Sequence, residues 1–318
     1  MSRRLQVGLF AGILLLQGCG GAGSESPEGE GEAEAQDSEV WEGDVEAAAL
    51  LLRPKEGTPE DWRILSEKVI WAWELGLDTL SMGESMVYLG LSFVDSRYTP
   101  GTLELPGSEE LVVNLQELDC VTFVENVLAI AQFIRTAEPR ILESEFETKA
   151  LYRQILTRIR YRGGRIDGYP SRLHYFSDWI LDNESKGLVT EVTRELEGVE
   201  DFRAVDFMSQ HPESYRQLAN PLNLRAIQER EFYLSGLTRH RIPEEDIPLR
   251  EHLIRDGDII AATSTVDGLD VAHTGIAVWR EDRLHLLHAP LVGEAVEVSA
   301  LPLAVRILRL ESQDGIRV

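Results

Sequence analysis

The sequence predicts an α+β domain behind an exported leader. Three observations carry this reading. Apolar residues recur at helical spacing through the first half, short β-rich runs separated by turn residues follow position 256, and the first fifty residues have a composition that cannot build a core.

Residues 1–19, MSRRLQVGLFAGILLLQGC, open with Arg3 and Arg4, run apolar from Leu5 to Leu16 and end in Leu-Gln-Gly-Cys. A basic head, a short apolar run and a small residue before a cysteine read as a bacterial export signal with a lipobox at Leu16, Gly18 and Cys19. The run is too short to span a bilayer as a helix, which takes about 20 residues. Lipid on Cys19 would tether the chain to a membrane without crossing it, and Gly20 favours the outer membrane, facing the periplasm. The competing reading is a plain secretory signal with a coincidental cysteine.

Residues 20–53 are expected to be a disordered acidic spacer. Ten acidic residues and no Lys or Arg lie between Gly20 and Leu52, among repeated Gly, Ala and Ser, so little apolar surface is available to order the segment. The net charge of −24 leaves the remaining domain, 54–318, acidic as well. Such a surface does not suit nucleic acid.

In the domain, Thr58-Pro59-Glu60-Asp61 combines a capping residue, a proline at the first helical position and first-turn acids, and Trp62, Leu65, Val69, Ile70 and Trp73 follow at helical spacing. Further helices are predicted at about 83–93, 120–134 and 144–159. Residues 257–262, 273–279 and 284–289 read as strands. The stretch 184–250 reads as strands, loops and short helices forming a wall of a cleft.

The chain has two cysteines. If Cys19 carries lipid, Cys120 has no disulfide partner in an oxidising compartment, so its thiol is expected to be buried or used. Asp119 can cap a helix opening at Cys120, which places the sulfur at the positive end of the helix and predicts an easily ionised nucleophile. The bland alternative is a small buried hydrophobe beside Val121 and Phe123.

Candidate bases lie in HTGIAVWREDRLHLLHA, residues 273–289. A turn at Glu281-Asp282 sets Arg280 against Arg283 and His288 against Gly275. His273 then shares a face with His288, at a diagonal distance of about 7–8 Å between backbones. His285 points to the other face. This suits a cysteine hydrolase in which His273 takes the thiol proton and His288 orients it. Zinc fits poorly, because His285 and His288 diverge and neither a Cys-x-x-Cys nor a His-Glu-x-x-His pattern exists, so no metal or other cofactor is expected.

Residues 158–180 gather five arginines in an acidic protein, followed by His174, Tyr175, Asp178 and Trp179. If a helix starts at Pro170, His174 and Asp178 share a face, as do Tyr175 and Trp179. An arginine fork beside aromatic platforms would bind a carboxylate and a sugar or peptide face. An arginine-rich helix end above an aromatic core stripe is the alternative.

Asp119-Cys120-Val121-Thr122-Phe123-Val124-Glu125, Ser171-Arg172-Leu173-His174-Tyr175 with Asp178-Trp179, Gly268-Leu269-Asp270-Val271-Ala272-His273-Thr274-Gly275 and Leu286-Leu287-His288-Ala289 together resemble the N-acetylmuramoyl-L-alanine amidase-like family, a branch of the NlpC-type papain-like cysteine hydrolases. The resemblance runs from about residue 58 to the end and departs at Pro290, where the family tends to a small hydroxyl residue. It implies a papain-like core, with the nucleophile helix packed on an antiparallel sheet, extra N-terminal helices and an insertion. It also implies peptidoglycan or muropeptide fragments as substrate, Cys120, His273 and His288 as catalytic residues, and Asp119, Arg172, His174, Tyr175, Asp178 and Trp179 around the substrate. Cleavage inside the stem peptide, between γ-D-glutamate and the diamino acid, by the same three residues stays open. So does a non-catalytic wall-binding lipoprotein.

Overall fold

The computed structural model describes residues 54–291 and 295–318. The export signal with Cys19 and the acidic spacer, expected over residues 1–53, lie outside them.

Helix α1, Pro59–Glu74, begins at the predicted cap. Thr58 Oγ1 accepts from the Asp61 amide at 3.3 Å, and Asp61 accepts from the Thr58 amide at 2.7 Å. The other carboxylate oxygen of Asp61 accepts from the Leu115 amide at 2.8 Å, so this cap also anchors the loop that leads to Cys120. A second capping box, Ser81 with Glu84, starts α2 at Met82–Leu91. Helix α3 is Cys120–Thr136, and apolar residues such as Phe123, Val127, Ile130 and Phe133 bury it on nearly every side, as befits a helix at the centre of a core. Helices α4, Glu145–Arg160, and α5, Phe176–Ser185, complete the layer around it.

Short strands β1, Arg97–Tyr98, and β2, Glu117–Leu118, pair in parallel just ahead of α3. The main sheet is built from β3 (Val199–Asp201), β4 (Arg239–Pro243), β5 (Ile259–Ser264), β6 (Val271–Arg280), β7 (Arg283–His288), β8 (Glu297–Val298) and β9 (Gln313–Arg317), in spatial order β3-β4-β9-β5-β6-β7-β8 with every pair antiparallel. One face, with Ala261, Ile276, Val278 and Leu287, packs on α3 and its neighbours. The other face, with Ile260, Ala262, Ala277, Leu286 and Ile316, is covered by Leu303, Ala304 and Ile307. Those three lie on one short helix, which follows α6, Pro221–Ser235, as α7, Leu303–Leu308. Helices and one antiparallel sheet make the chain α+β, as predicted.

The hairpin between β6 and β7 has the predicted register, with Arg280 against Arg283 and Ile276 against Leu287. Glu281 and Asp282 both have positive φ, 47° and 64°, which is the conformation of a two-residue type I′ turn. Strand β7 ends at His288, two residues before Pro290.

One part of the prediction needs correcting. No α-helix starts at Pro170: residues 169–171 form a single 3₁₀ turn, and α5 begins only at Phe176. His174 and Tyr175 therefore precede the helix, and the proposed pairing of His174 with Asp178 one turn apart does not exist. The stretch 184–250, expected as strands, loops and short helices, contains β3, α6 and β4, and its Val205, Phe207, Met208, Leu218, Ile227 and Leu234 close a third core with Tyr169 and Tyr175.

Candidate active site

Cys120 is the first residue of α3. Asp119 caps it, its Oδ1 accepting from the Thr122 amide and from Thr122 Oγ1, each at 2.8 Å, while Thr122 Oγ1 accepts from the Asp119 amide at 2.9 Å. From the sheet, Thr274 Oγ1 donates to the Cys120 carbonyl at 2.8 Å. That bond pins the head of the helix to the strand residue next to His273.

His273 and His288 are brought together as the register requires. Nε2 of His273 lies 2.8 Å from Nδ1 of His288, with ring centroids 4.9 Å apart and ring planes at 86°. His273 keeps partial solvent contact, whereas His288 is buried. His285 belongs to the opposite face, where Nδ1 lies 2.8 Å from the Ser299 carbonyl. His288 Nε2 has Glu297 Oε1 at 3.8 Å.

The electrostatics correct one expectation. Although Cys120 heads a helix, burial and then the neighbouring Asp119 carboxylate push its thiol up to about 11. Besides burial, the carboxylate that accepts from the Thr122 amide opposes a second negative charge beside it. Hydrogen bonds from Thr274 and Val121 act the other way but are outweighed. His273 is held well below the ordinary imidazole value by burial, His288 and Arg306, and His288 falls to about 3 through burial and then Arg306. These shifts favour the neutral thiol at Cys120 and the neutral imidazole at both His273 and His288. A neutral imidazole can accept a proton.

The residues of the 169–180 segment are placed inside the protein. Arg172 is 4% exposed, donates to the Leu103 carbonyl at 2.8 Å, and pairs with Glu104 and with Glu109. Asp178, 1% exposed, is held by Arg162 at 2.5 Å and by Arg230. The Tyr175 hydroxyl donates to Glu231 at 2.6 Å and accepts from the Met208 amide at 2.8 Å. Trp179 stacks on Phe176 and donates to Glu125 at 3.2 Å. His174, half-buried, lies 2.9 Å from the Tyr169 carbonyl through Nε2. Glu125 sits on α3 and forms a buried pair with Arg160 at 2.6 Å, so Trp179 and Arg160 together brace α3 from the side.

Several neighbours of the site were not identified from sequence. Tyr98 on β1 is close enough that, after burial, Cys120 and Asp119 both raise its hydroxyl. Arg306 on α7 faces Cys120, His273, His288 and Glu297 electrostatically and donates to Gln313 Oε1 at 3.1 Å. Neither carried a local signal, because both approach through long-range packing. Thr274 did carry one, standing between His273 and Gly275 in the quoted string.

A cavity of about 270 Å³ lies elsewhere. It is lined by Met82, Met86, Leu128, Phe176, Trp179 and Val318, with none of Cys120, His273 and His288 among its walls. Among the described residues, no group of three or more His, Cys, Asp or Glu side chains is placed to hold a metal ion.

Residues 88–313 match the model of a family described as N-acetylmuramoyl-L-alanine amidase-like. The crystal structure of an N-acetylmuramoyl-L-alanine amidase from Bacteroides uniformis is 39% identical, over 75% of this chain and 97% of its own, with a TM-score of 0.68. A Bacteroides fragilis protein named as a xylanase is 40% identical, over 72% of this chain and 98% of its own, with a TM-score of 0.66. A Legionella pneumophila protein shares the fold at 19% identity, over 76% and 89%, with a TM-score of 0.56. Among proteins of curated function, none is similar enough to match.

Proposed function

The chain belongs to the N-acetylmuramoyl-L-alanine amidase-like family, and from that premise we propose that it is a peptidoglycan hydrolase working through Cys120, His273 and His288. The bond cut is the amide between the lactyl group of N-acetylmuramic acid and L-alanine. One observation carries the reading: the 2.8 Å contact between His288 and His273, which is next to the Thr274 that binds the Cys120 carbonyl.

The steps follow from these positions. His273 takes the Cys120 thiol proton as the sulfur attacks the carbonyl carbon. The oxyanion is met by backbone amides at the head of α3. As the C–N bond breaks, His273 returns its proton to the amine of L-alanine, leaving a thioester on Cys120. Water, deprotonated by His273, adds to the thioester and releases the muramic acid carboxylate and the free thiol. His288 orients His273 throughout.

A nucleophile helix packed on an antiparallel sheet, with the histidines on two adjacent strands, suits the papain-like NlpC branch. In this reading Asp119, Arg172, His174, Tyr175, Asp178 and Trp179 shape the substrate cleft by holding its walls, since their polar ends are already engaged. The chain acts in the cell envelope, exported and lipid-anchored through Cys19. Hydrolysis of a polysaccharide, suggested by the Bacteroides fragilis relative, would call for two free carboxyl groups flanking one cleft. Of the two acids beside these residues, Asp119 is committed to its cap. The products released from a defined muropeptide test the reading, because amidase and stem-peptide cleavage liberate different fragments.

A further inference from the structure

The contact between the two histidines leaves one proton to be placed. Of His273 Nε2 and His288 Nδ1, one donates and the other accepts. If His273 receives the Cys120 proton on Nδ1, its own proton is on Nε2 and points at His288. His288 must then accept on Nδ1 and carry its proton on Nε2. That nitrogen is buried and has no hydrogen-bond partner among the described residues, a costly position for an N–H group.

Glu297 is the acidic residue placed to meet it. The register of β7 and β8 sets His288 directly opposite Glu297, so the two side chains leave the same face of the sheet. Oε1 of Glu297 lies 3.8 Å from His288 Nε2. The glutamate side chain is 49% exposed, free to turn inward by that small distance or to hold a single bridging water.

Resting on the reading of Cys120, His273 and His288 as the catalytic group, we propose that Glu297 is a positioning residue whose carboxylate accepts the His288 Nε2 proton and so fixes the tautomers of both histidines. His273 then presents Nδ1 as the base. When the thiol proton arrives there, the positive charge lies across two imidazoles with the Glu297 carboxylate at their far end. Arg306 from α7 opposes that charge, and Glu297 from β8 and Cys120 from α3 both face Arg306. No covalent step is added; the carboxylate decides which nitrogen holds each proton.

The test uses the full chain with a defined muropeptide, comparing wild type, Glu297→Ala, Glu297→Gln and Cys120→Ala. Glu297→Ala is expected to lower kcat about tenfold with KM changed less than about twofold, since only the orientation of the base is lost. Its acid limb should move to lower pH, because removing the carboxylate disfavours the protonated pair. Glu297→Gln, which keeps an acceptor without the charge, should fall between. Nitrogen-15 spectra of the imidazoles supply a readout independent of turnover: His288 protonated on Nε2 in wild type, and mixed tautomers in Glu297→Ala. Wild-type kcat and pH profile in Glu297→Ala, or His288 protonated on Nδ1 in wild type, overturns the proposal. An active Cys120→Ala overturns the underlying reading, and the proposal with it, and is told apart because that variant leaves Glu297 in place.

Discussion

His273 and His288 meet edge to face, with Nε2 of the first 2.8 Å from Nδ1 of the second. They stand 15 positions apart in the chain and reach one another only because the Glu281-Asp282 turn fixes the register of β6 and β7. A slip of one residue would send one ring to the opposite face.

Side-chain alternation along β7 turns His285 away from the pair formed by His273 and His288. His273→Ala should lower kcat/KM by about 10²- to 10⁴-fold, the usual share of a general base, with the fold retained. His285→Ala, on the other face, should remain active. Equal loss in two folded variants, checked by steady-state kinetics alongside circular dichroism, would contradict the assignment of roles.

The buried neutral state of His288 predicts a pH dependence of stability. Its folded pKa is lowered from 6.5 to about 3 by burial and then by Arg306, while in the unfolded chain it keeps its ordinary value. The contribution is therefore whole above pH 6.5 and is lost as pH falls toward 3. Unfolding free energy measured by denaturant across that window should fall more steeply in wild type than in His288→Gln, by up to about 1.4 kcal/mol per pH unit. Parallel slopes would show that His288 is not held neutral.

The buried pair of Arg160 and Glu125 fastens α4 to α3, with both side chains 2% exposed. Removing one partner strands the other charge. Glu125→Ala should destabilise the protein by about 3–5 kcal/mol in equilibrium unfolding. A loss below about 1 kcal/mol, the range of an exposed pair, would mean that water reaches the arginine.

Gly275 lies where a β-carbon would stand 2.8 Å from Leu286 Cγ and Cδ1 and from the Leu287 carbonyl oxygen. Gly275→Ala should force β7 away from β6 at a cost of about 1–3 kcal/mol. Because His288 is the next residue on β7, activity should fall with it. A variant with unchanged melting temperature and unchanged turnover would remove the close approach from the account.

Much of this arrangement was legible in the sequence because the signals were local. Thr58 and Asp119 announced their helices through capping chemistry, and the Arg280 to Arg283 turn set the histidine pair. Where the reading failed, distant partners decided the outcome. Helix α6 was missed because Leu222, Phe232 and Tyr233 stay exposed and blur the apolar stripe formed by Ile227 and Leu234. Strand β9, Gln-Asp-Gly-Ile-Arg, is too polar to read as a strand. It nevertheless lies between β4 and β5, with Arg317 bonded to Ser177 Oγ at 2.7 Å. The thiol was expected to ionise easily from its place at a helix start, but burial and Asp119 outweigh the dipole. The arginines of residues 158–180 read as a binding surface, and only the fold reveals Glu104, Glu109, Glu125 and Asp178 as their partners.

The central claim is that Cys120 opens the amide next to L-alanine, and mass spectrometry of products from a defined muropeptide tests it most directly, with Cys120→Ala as the blank. The account predicts an intact stem peptide beginning at L-alanine from the wild type and none from the variant. A fragment beginning at the diamino acid would contradict the bond assignment, and stem peptide released by Cys120→Ala would contradict the nucleophile.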